Sequence, residues 1–321
     1  MGANSRIEWT HRTFNPWWGC TKVSPACDHC YAERWAKRTG FDVWGKDASR
    51  RFFNDSKWDE PLRWDRAAAK AGERHRVFCG SMCDVMEDAP GLQEIREAKL
   101  YPLIEATPFL DWLLLTKRPQ NFRRFLPAAW LDRPRPNVVG MTTVESERYL
   151  WRADVLLRTP FSWRGLSMEP LLGHVDIGPF IGIKPRKLSS EWHGPTLTRG
   201  IDWVIVGGES GHGARPMHPD WVRAIRDQCL EAGVPFFFKQ WGEWLPQGQF
   251  GTDGDTPTAM NTGARWGVLT MDGEYMAQTT RWMRGPGWYA DDGEVYVYRV
   301  GKRDAGRLLD GREHLEFPET R

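Results

Sequence analysis

The sequence predicts an α/β protein with a partial (β/α) barrel of about six or seven units, an open version of the TIM barrel, followed by a β-rich C-terminal appendage. Short apolar runs alternate with stretches of helical periodicity, a pattern typical of βαβ units and a parallel sheet. The runs are continuously apolar, as expected for strands that are covered on both faces. After Gly242 the composition changes to Gly, Asp and Thr with aromatic residues. We therefore expect the barrel in residues 1–242, with an insertion near 174–200, and the β-rich extension in residues 243–321.

The elements follow in order along the chain. Predicted barrel strands cover residues 13–18, 76–84, 109–117, 137–145, 163–170, 202–210 and 235–241. Helical periodicity is found in residues 31–39, 91–106, 120–126, 148–157 and 219–232. Residues 41–73 are charged and irregular and suggest no regular element. In the extension, residues 275–280 and 294–300 alternate like strands, and a basic, polar tail follows them.

Composition sets limits on the class of protein. The chain has 44 Lys and Arg against 42 Asp and Glu, a net charge of +2, which permits a nucleic-acid partner without arguing for one. No apolar run reaches membrane-spanning length, and the first residues lack the apolar core of an export signal. We therefore expect no membrane association and a cytoplasmic location.

Three cysteines, Cys20, Cys27 and Cys30, lie within eleven residues in a C-x6-C-x2-C pattern. Such a set predicts a metal site. Three cysteines can hold a four-iron cluster by three irons and leave the fourth iron open to a substrate or cofactor. A structural zinc would need a fourth ligand, and His29 or His11 are the candidates. A disulfide is a third alternative, although six cysteines in 321 residues are too sparse for an oxidised scaffold.

Polar side chains stand at the carboxyl ends of six predicted strands, where the active sites of barrels and doubly wound sheets are found. These side chains are Ser81 and Asp84, Thr116 and Lys117, Thr142, Thr143 and Glu145, Ser167 and Glu169, Glu209 and Ser210, and Lys239 and Gln240. Since the cysteine segment follows the first predicted strand, we expect it at the same edge.

Several long motifs resemble one family, the three-Cys-motif proteins of phages and prophages. They are Asn15-Pro-Trp-Trp-Gly-Cys-Thr-Lys-Val-Ser-Pro25, Leu115-Thr-Lys-Arg-Pro119, Ser167-Met-Glu-Pro-Leu-Leu-Gly173, Ile205-Val-Gly-Gly-Glu-Ser-Gly211 and Phe236-Phe-Phe-Lys-Gln-Trp-Gly242. That family in turn resembles the radical SAM superfamily, most closely the branch that contains spore photoproduct lyase. The usual superfamily spacing is C-x3-C-x2-C, so the first interval departs from it here.

The resemblance implies a [4Fe-4S] cluster on Cys20, Cys27 and Cys30, with S-adenosylmethionine (SAM) on the fourth iron. It also implies reductive cleavage of SAM to methionine and a 5′-deoxyadenosyl radical, an electron donor of the flavodoxin or ferredoxin type, and a phage-encoded enzyme acting in the host cytoplasm. Lys117 matches a lysine that meets the SAM carboxylate. The implied SAM contacts are Ser81, Asp84, Lys117, Thr142, Glu145 and Arg152, and the implied catalytic residues are Cys83, Glu169 and Glu209. Arg152 on a solvated helix face, and Cys79 and Cys83 as packing residues, are the alternatives; Cys229 is expected to pack.

The expected substrate is nucleic acid, with DNA base modification or repair as the reaction. Residues 112–131 carry Lys117, Arg118, Arg123 and Arg124 without an acidic residue. The insertion adds Lys184, Arg186, Lys187 and Arg199 against Glu191. Basic residues among aromatic ones suit phosphate neutralisation and base stacking. A nucleotide or peptide substrate is left open, as is a non-catalytic nucleic-acid-binding protein with a structural zinc at the three cysteines.

Overall fold

The computed structural model describes residue 5 and residues 7–182, 200–249, 265–277 and 293–319. The basic residues predicted within the insertion, from Lys184 to Arg199, lie outside these ranges. The described residues form a seven-stranded sheet and a four-stranded sheet, with helices packed on the larger one.

The larger sheet is entirely parallel, and its strands lie side by side in chain order, with β1 and β7 at the two edges. Its strands are β1 (Arg12–Phe14), β2 (His75–Cys79), β3 (Leu110–Thr116), β4 (Val138–Thr143), β5 (Trp163–Met168), β6 (Trp203–Gly207) and β7 (Phe236–Gln240). Each connection advances by one strand in the same direction, which is the topology of an open (β/α) barrel. The predicted fold class is therefore confirmed, and all seven predicted strands are present.

The helices lie between the strands or follow the sheet. They are α1 (Tyr31–Arg38), α2 (Asp55–Ala71), α3 (Leu92–Ile95), α4 (Tyr101–Glu105), α5 (Phe122–Phe125), α6 (Ala128–Asp132), α7 (Trp151–Leu157), α8 (Pro219–Ala232) and α9 (Lys302–Ala305). A π-helical turn, Arg96–Leu100, joins α3 and α4 without a break, so the helix predicted at residues 91–106 is a continuous helical segment with a π-helical turn in its middle.

Helix α2 was not predicted, and residues 41–73 are therefore more regular than their sequence suggested. Pro61 lies inside the helix and cannot donate a backbone hydrogen bond, which is a signal against a helix. Packing overrides it, because Trp58, Trp64 and Ala68 are buried on one face. The helix ends at Gly72, whose φ of 69° gives the left-handed cap that glycine adopts most easily.

The strands are apolar on both faces because the sheet covers two separate cores. One core lies between the sheet and its helices, and Val77, Leu114 and Val206 contribute to it. The other fills the concave side and consists of Trp9, Phe78, Leu113, Met141, Trp203, Ile205 and Phe237. Successive residues of a strand point to opposite faces, so each strand serves both cores. The alternation of polar and apolar residues is consequently lost.

The smaller sheet is antiparallel, in the order β10-β9-β11-β8. Its strands are β8 (Trp244–Pro246), β9 (Trp266–Thr270), β10 (Tyr275–Ala277) and β11 (Glu294–Arg299). The extension is therefore β-rich as predicted, and the two predicted strands correspond to β10 and β11. Residues 278–280 of the first prediction lie outside the described ranges.

The polar tail returns to the barrel, which its composition did not predict. The backbone N–H of Phe238 donates to the carbonyl of His314 at 2.9 Å, and Leu315 pairs antiparallel with Phe237. The indole N–H of Trp203 donates to the carbonyl of Glu316 at 3.0 Å. These bonds cover the outer edge of β7, which would otherwise present unpaired backbone groups.

Within the described ranges, no helix has both the length and the apolar character that crossing a bilayer requires.

Candidate active site

A cavity of about 520 Å³ opens at the carboxyl ends of the barrel strands. It is lined by Cys20, Cys27 and Cys30, and also by six other residues with predicted roles, namely Ser81, Cys83, Asp84, Lys117, Glu169 and Glu209. The predicted residues Thr142, Glu145 and Arg152 are not part of its lining. Most of the candidate residues therefore lie together at the carboxyl ends of the strands, where the sequence predicted the active site.

The cysteine segment is shaped by close backbone packing after β1. Gly19 has a φ of 111°, and a Cβ there would lie 2.2 Å from the carbonyl oxygen of Val43, so only glycine fits. The N–H of Gly19 donates to the carbonyl of Met82 at 3.0 Å, which ties the segment to the loop after β2. Cys27 ends a short 3₁₀ turn that begins at Pro25, and Cys30 immediately precedes α1. The three cysteines are therefore held by separate local structures around one cavity.

Arg118 contacts Cys20 and lines the same cavity; the sequence placed it among the basic residues for nucleic acid and not among the cofactor contacts. Its guanidinium donates to the Thr21 carbonyl at 2.6 Å and to Asp84 Oδ2 at 2.8 Å, and Nη1 lies 3.6 Å from Cys20 Sγ. Burial raises the pKa of the Cys20 thiol to about 12, and the Asp84 carboxylate adds to that rise while Arg118 opposes it. A thiol with this pKa binds a metal only by losing its proton, and a metal supplies the free energy for that loss.

Asp84 uses both carboxylate oxygens within the protein. Oδ1 accepts from Thr116 Oγ1 at 2.5 Å and from the Met86 N–H at 3.0 Å. Oδ2 accepts from the Lys117 N–H at 3.0 Å in addition to Arg118. Burial alone would raise the pKa of Asp84, but Arg118 and these donors hold it below its usual value. Asp84 thus orients the end of β3 instead of presenting a free carboxylate to a cofactor.

A second buried ion pair extends this network. Arg50 Nε donates to Glu87 Oε2 at 2.9 Å, and Arg50 Nη2 donates to Glu87 Oε1 at the same distance. Glu87 Oε1 also accepts from the backbone N–H of Thr21 at 2.8 Å. Both residues adjoin the cysteine segment, and neither was predicted. One sequence feature could have pointed to this network: Asp84 and Glu87 are acidic residues three positions apart, shortly after an apolar strand.

Lys117 projects into the cavity beside Cys30. Its ammonium makes no ion pair or hydrogen bond with any residue in the described part of the chain. Burial raises the pKa of the Cys30 thiol, while backbone N–H groups at the start of α1 and the charge of Lys117 oppose that rise.

The predicted residue Ser81 is held by contacts within the protein. The Tyr31 hydroxyl donates to the Ser81 carbonyl at 2.8 Å, and Ser81 Oγ accepts from Asn15 Nδ2 at 3.0 Å.

Glu209 fastens the cysteine segment to the loop after β6. Its Oε2 lies 3.0 Å from His29 Nδ1 and accepts from Arg215 Nε at 2.9 Å, and its Oε1 accepts from Arg215 Nη2 at 2.7 Å. Burial would raise the pKa of Glu209, but Arg215 and His29 lower it. Glu169 is paired with Lys239 at 2.8 Å, and both residues line the cavity. Of the two predicted catalytic carboxylates, Glu169 has fewer internal partners.

The hydroxyl that faces the cavity from β4 belongs to Thr143, not to the predicted Thr142. Thr142 Oγ1 donates to the Thr116 carbonyl at 2.8 Å, within the sheet. Thr143 lines the cavity, is 1% exposed, and has an Oγ1 without a hydrogen-bond partner in the described ranges. Neighbouring strand residues face opposite sides, and a strand that is apolar on both faces does not reveal which side is which.

Glu145 and Arg152 form a buried ion pair outside the cavity lining. Arg152 Nη1 donates to Glu145 Oε2 at 2.8 Å and to the Thr143 carbonyl at 3.1 Å, and its guanidinium lies 4.3 Å from the Tyr149 ring centroid. Arg152 is 1% exposed, so the solvated helix face considered for it is wrong. The pair holds the end of β4 against α7 from behind.

The remaining cysteines divide between the cavity and the core. Cys83 lines the cavity, whereas Cys79 and Cys229 belong to the core between the sheet and its helices. The predicted packing role of Cys229 is confirmed.

The three cysteines supply thiolate donors, which both an iron–sulfur cluster and a zinc ion accept. Across the described ranges, no three His, Cys, Asp or Glu side chains meet at one point, and a structural zinc needs four ligands. The His29 side chain contacts Glu209. His11 accepts from the Arg76 N–H at 2.9 Å, at the amino ends of β1 and β2 and so away from the cysteines. In a four-iron cluster each thiolate binds its own iron, so three cysteines spaced around a cavity are suitable.

Comparisons with known proteins identify the family. Solved structures of spore photoproduct lyase resemble the chain at 13% sequence identity. For a double mutant with bound AdoMet and dinucleoside spore photoproduct, the TM-score is 0.40 and the alignment covers 90% of this chain and 69% of the lyase chain. For a tyrosine-to-phenylalanine mutant, the TM-score is 0.40 and the alignment covers 92% of this chain and 70% of the lyase chain. A cysteine-to-serine mutant has a TM-score of 0.41 and covers 81% and 72%. No curated protein matches. A family profile described as "Protein of unknown function (DUF5131)" matches residues 4–318. The chain therefore belongs to the DUF5131 family.

Proposed function

We propose that this protein is a radical SAM-type iron–sulfur enzyme, with a [4Fe-4S] cluster on Cys20, Cys27 and Cys30 and with SAM in the 520 Å³ cavity. The observation that carries the proposal is that three cysteines and the polar strand ends line one cavity together with Lys117, whose ammonium has no partner among the described residues. When bound, the two cofactors would supply the electron transfer and the radical chemistry. An electron donor of the flavodoxin or ferredoxin type would be a partner.

The residues of the chain itself provide binding, orientation and exclusion of water. Lys117 offers a cation to a carboxylate, the group that SAM presents at its methionine end. Ile7, Trp9, Phe78 and Leu115 form an apolar part of the cavity lining. A dry wall of this kind strengthens the ionic contacts within the cavity and protects a reactive species from water.

The test of the proposal is a turnover assay. Anaerobically reconstituted and reduced protein should convert SAM to methionine and 5′-deoxyadenosine, at least slowly without substrate. Protein with a full complement of iron and sulfide that binds SAM but forms no 5′-deoxyadenosine with any reductant would contradict the proposal.

Lys117→Ala should weaken SAM binding by about 1.5–3 kcal/mol, or about tenfold or more in Kd, because a hydrogen bond to a charged group is lost. The cluster should remain, since Lys117 is not a ligand. Equilibrium dialysis with SAM measures the effect. Lys37→Ala, which removes a lysine on α1 outside the cavity lining, is the matched control. Equal SAM affinity in the two variants would show that the carboxylate binds elsewhere.

We also propose nucleic acid as the substrate, with DNA base modification or repair as the reaction. Fewer basic residues support this proposal than the sequence suggested, because Arg118 is buried in an ion pair with Asp84. Arg123 and Arg124 are exposed on α5, where Arg123 donates to the Arg158 carbonyl and Arg124 pairs with Asp88 at 2.5 Å. Exposed contacts of this kind are weak and can be exchanged for phosphate contacts.

A salt series tests this part of the proposal. Arg123→Ala with Arg124→Ala should reduce the slope of log affinity against log salt by about 1.4 for single strands and about 1.8 for duplex, since two phosphate contacts are lost. Arg63→Ala with Arg66→Ala on α2 removes the same charge from another exposed face. Absence of salt-dependent binding, or equal slopes in both double variants, would remove nucleic acid from the proposal.

A further inference from the structure

One wall of the cavity, formed by Thr143, Glu169, Lys239, Gln240 and Lys302, has groups that the cofactor assignments do not use. We call it the β4–β7 wall. Four of these residues stand at or just beyond the carboxyl ends of β4, β5 and β7, and Lys302 begins α9 in the C-terminal segment.

Two buried oxygens on this wall lack partners. Thr143 Oγ1 and Gln240 Oε1 have no hydrogen bond within the described ranges, although the residues are 1% and 7% exposed. Gln240 is held in place by its Nε2, which donates to Ser210 Oγ at 2.9 Å. Most buried polar atoms are satisfied, so these two oxygens are available to the polar edge of a bound molecule.

The same wall carries two cations, Lys239 and Lys302. Lys239 is paired with Glu169 at 2.8 Å, but Lys302 makes no ion pair in the portion of the chain that is described. Burial and the charge of Lys239 lower the pKa of Lys302, against the attraction of Glu8, Glu169 and Glu243. Glu8 lies 3.5 Å from Arg307 and Glu169 pairs with Lys239, whereas Glu243 accepts only from the neutral Gly211 N–H among the described contacts. Lys302 is exposed and lines the cavity, so its ammonium can donate to an anion bound there.

We propose that the β4–β7 wall binds one nucleotide of the substrate, with its phosphate at Lys302 and the polar edge of its base at Thr143 and Gln240. This inference rests on the proposed function, because it takes the cavity as the reaction site. A nucleotide combines an anion, a flat ring and an edge of donors and acceptors. The apolar lining of Trp9 and Phe78 suits the ring. The nucleotide can be free or extruded from a strand.

The test is a binding titration of the full chain, reconstituted and saturated with SAM so that nucleotides do not merely occupy the SAM site. The probes are the four deoxynucleoside 5′-monophosphates, the matching nucleosides and a single-stranded trinucleotide. We expect at least one phosphate-bearing probe to bind, and we expect loss of its phosphate to weaken binding at least tenfold. Lys302→Gln should weaken the phosphate-bearing probe to the same extent without affecting the nucleoside. Thr143→Val should weaken both.

Arg303→Gln is the matched control, because it removes the neighbouring charge from α9 outside the cavity lining. Similar affinity for monophosphate and trinucleotide indicates a free nucleotide, and much tighter trinucleotide binding indicates an extruded one; either result supports the site. Absence of binding by all probes, or equal affinities in Lys302→Gln and Arg303→Gln, overturns it. Iron content and 5′-deoxyadenosine formation in the same samples show separately whether the proposed function holds.

Discussion

Cys27→Ala should leave the protein folded but without its [4Fe-4S] cluster. Each of the three cysteines would bind one iron, so removing one leaves two anchors for a four-iron cluster. Cys27 is only partly buried and ends a short 3₁₀ turn, so its loss removes little packing. The measurement is iron and acid-labile sulfide per chain after anaerobic reconstitution, with circular dichroism to check the fold. Cys20→Ala and Cys30→Ala should behave in the same way.

Cys229→Ala is the control for that series. Cys229 lies on the buried face of α8 and is not part of the cavity lining, so its variant should keep the cluster. If Cys27→Ala retains as much iron and sulfide as Cys229→Ala, the assignment of the three cysteines as cluster ligands is wrong.

Arg118→Met should lower the free energy of unfolding by about 3–5 kcal/mol, because it leaves the Asp84 carboxylate buried without its ion-pair partner. Urea unfolding of the cluster-free protein measures this loss without a contribution from metal binding. Adding Asp84→Leu to Arg118→Met should recover part of it, since the unpaired charge is then gone. The recovery would show that the cost comes from an unpaired charge and not from poor packing.

Arg124→Met gives the matched control for this prediction. Arg124 and Asp88 form an ion pair at 2.5 Å, but both side chains are more than half exposed, at 64% and 54%. A pair of this kind contributes about 0–1 kcal/mol. Equal losses in Arg118→Met and Arg124→Met would contradict the account of a buried network behind Cys20.

The sequence predicted the sheet well because its signal is local. A strand buried on both faces is a continuous apolar run, and such runs correspond to β2 to β7, while β1 is a short strand directly before the cysteine segment. Helix α8 has the predicted bounds, Pro219–Ala232, because Pro219 suits the first position of a helix and Gly233 follows its last residue. Helix α2 was missed because Pro61 is a local signal against a helix, and the packing of Trp58 and Trp64 that outweighs it is tertiary.

The site was predicted less completely, because its decisive contacts are long-range. Arg50 pairs with Glu87 across 37 positions, and Arg118 reaches the Thr21 carbonyl across 97. Lys117 and Arg118 are neighbours of the same charge and both line the cavity, yet only Arg118 is buried in an ion pair with Asp84. Thr142 was also predicted for the cavity, where the structure has Thr143. When both faces of a strand are apolar, its composition does not show which side chains face the cavity.

The central claim is that the three cysteines hold an iron–sulfur cluster, and metal analysis of the wild-type protein tests it most directly. Protein purified without oxygen should be brown and contain about four irons and about four sulfides per chain. The iron should fall to background when Cys20, Cys27 and Cys30 are all replaced by alanine. One zinc per chain with no iron, lost in the same triple variant, would contradict the claim and establish a structural zinc site in its place.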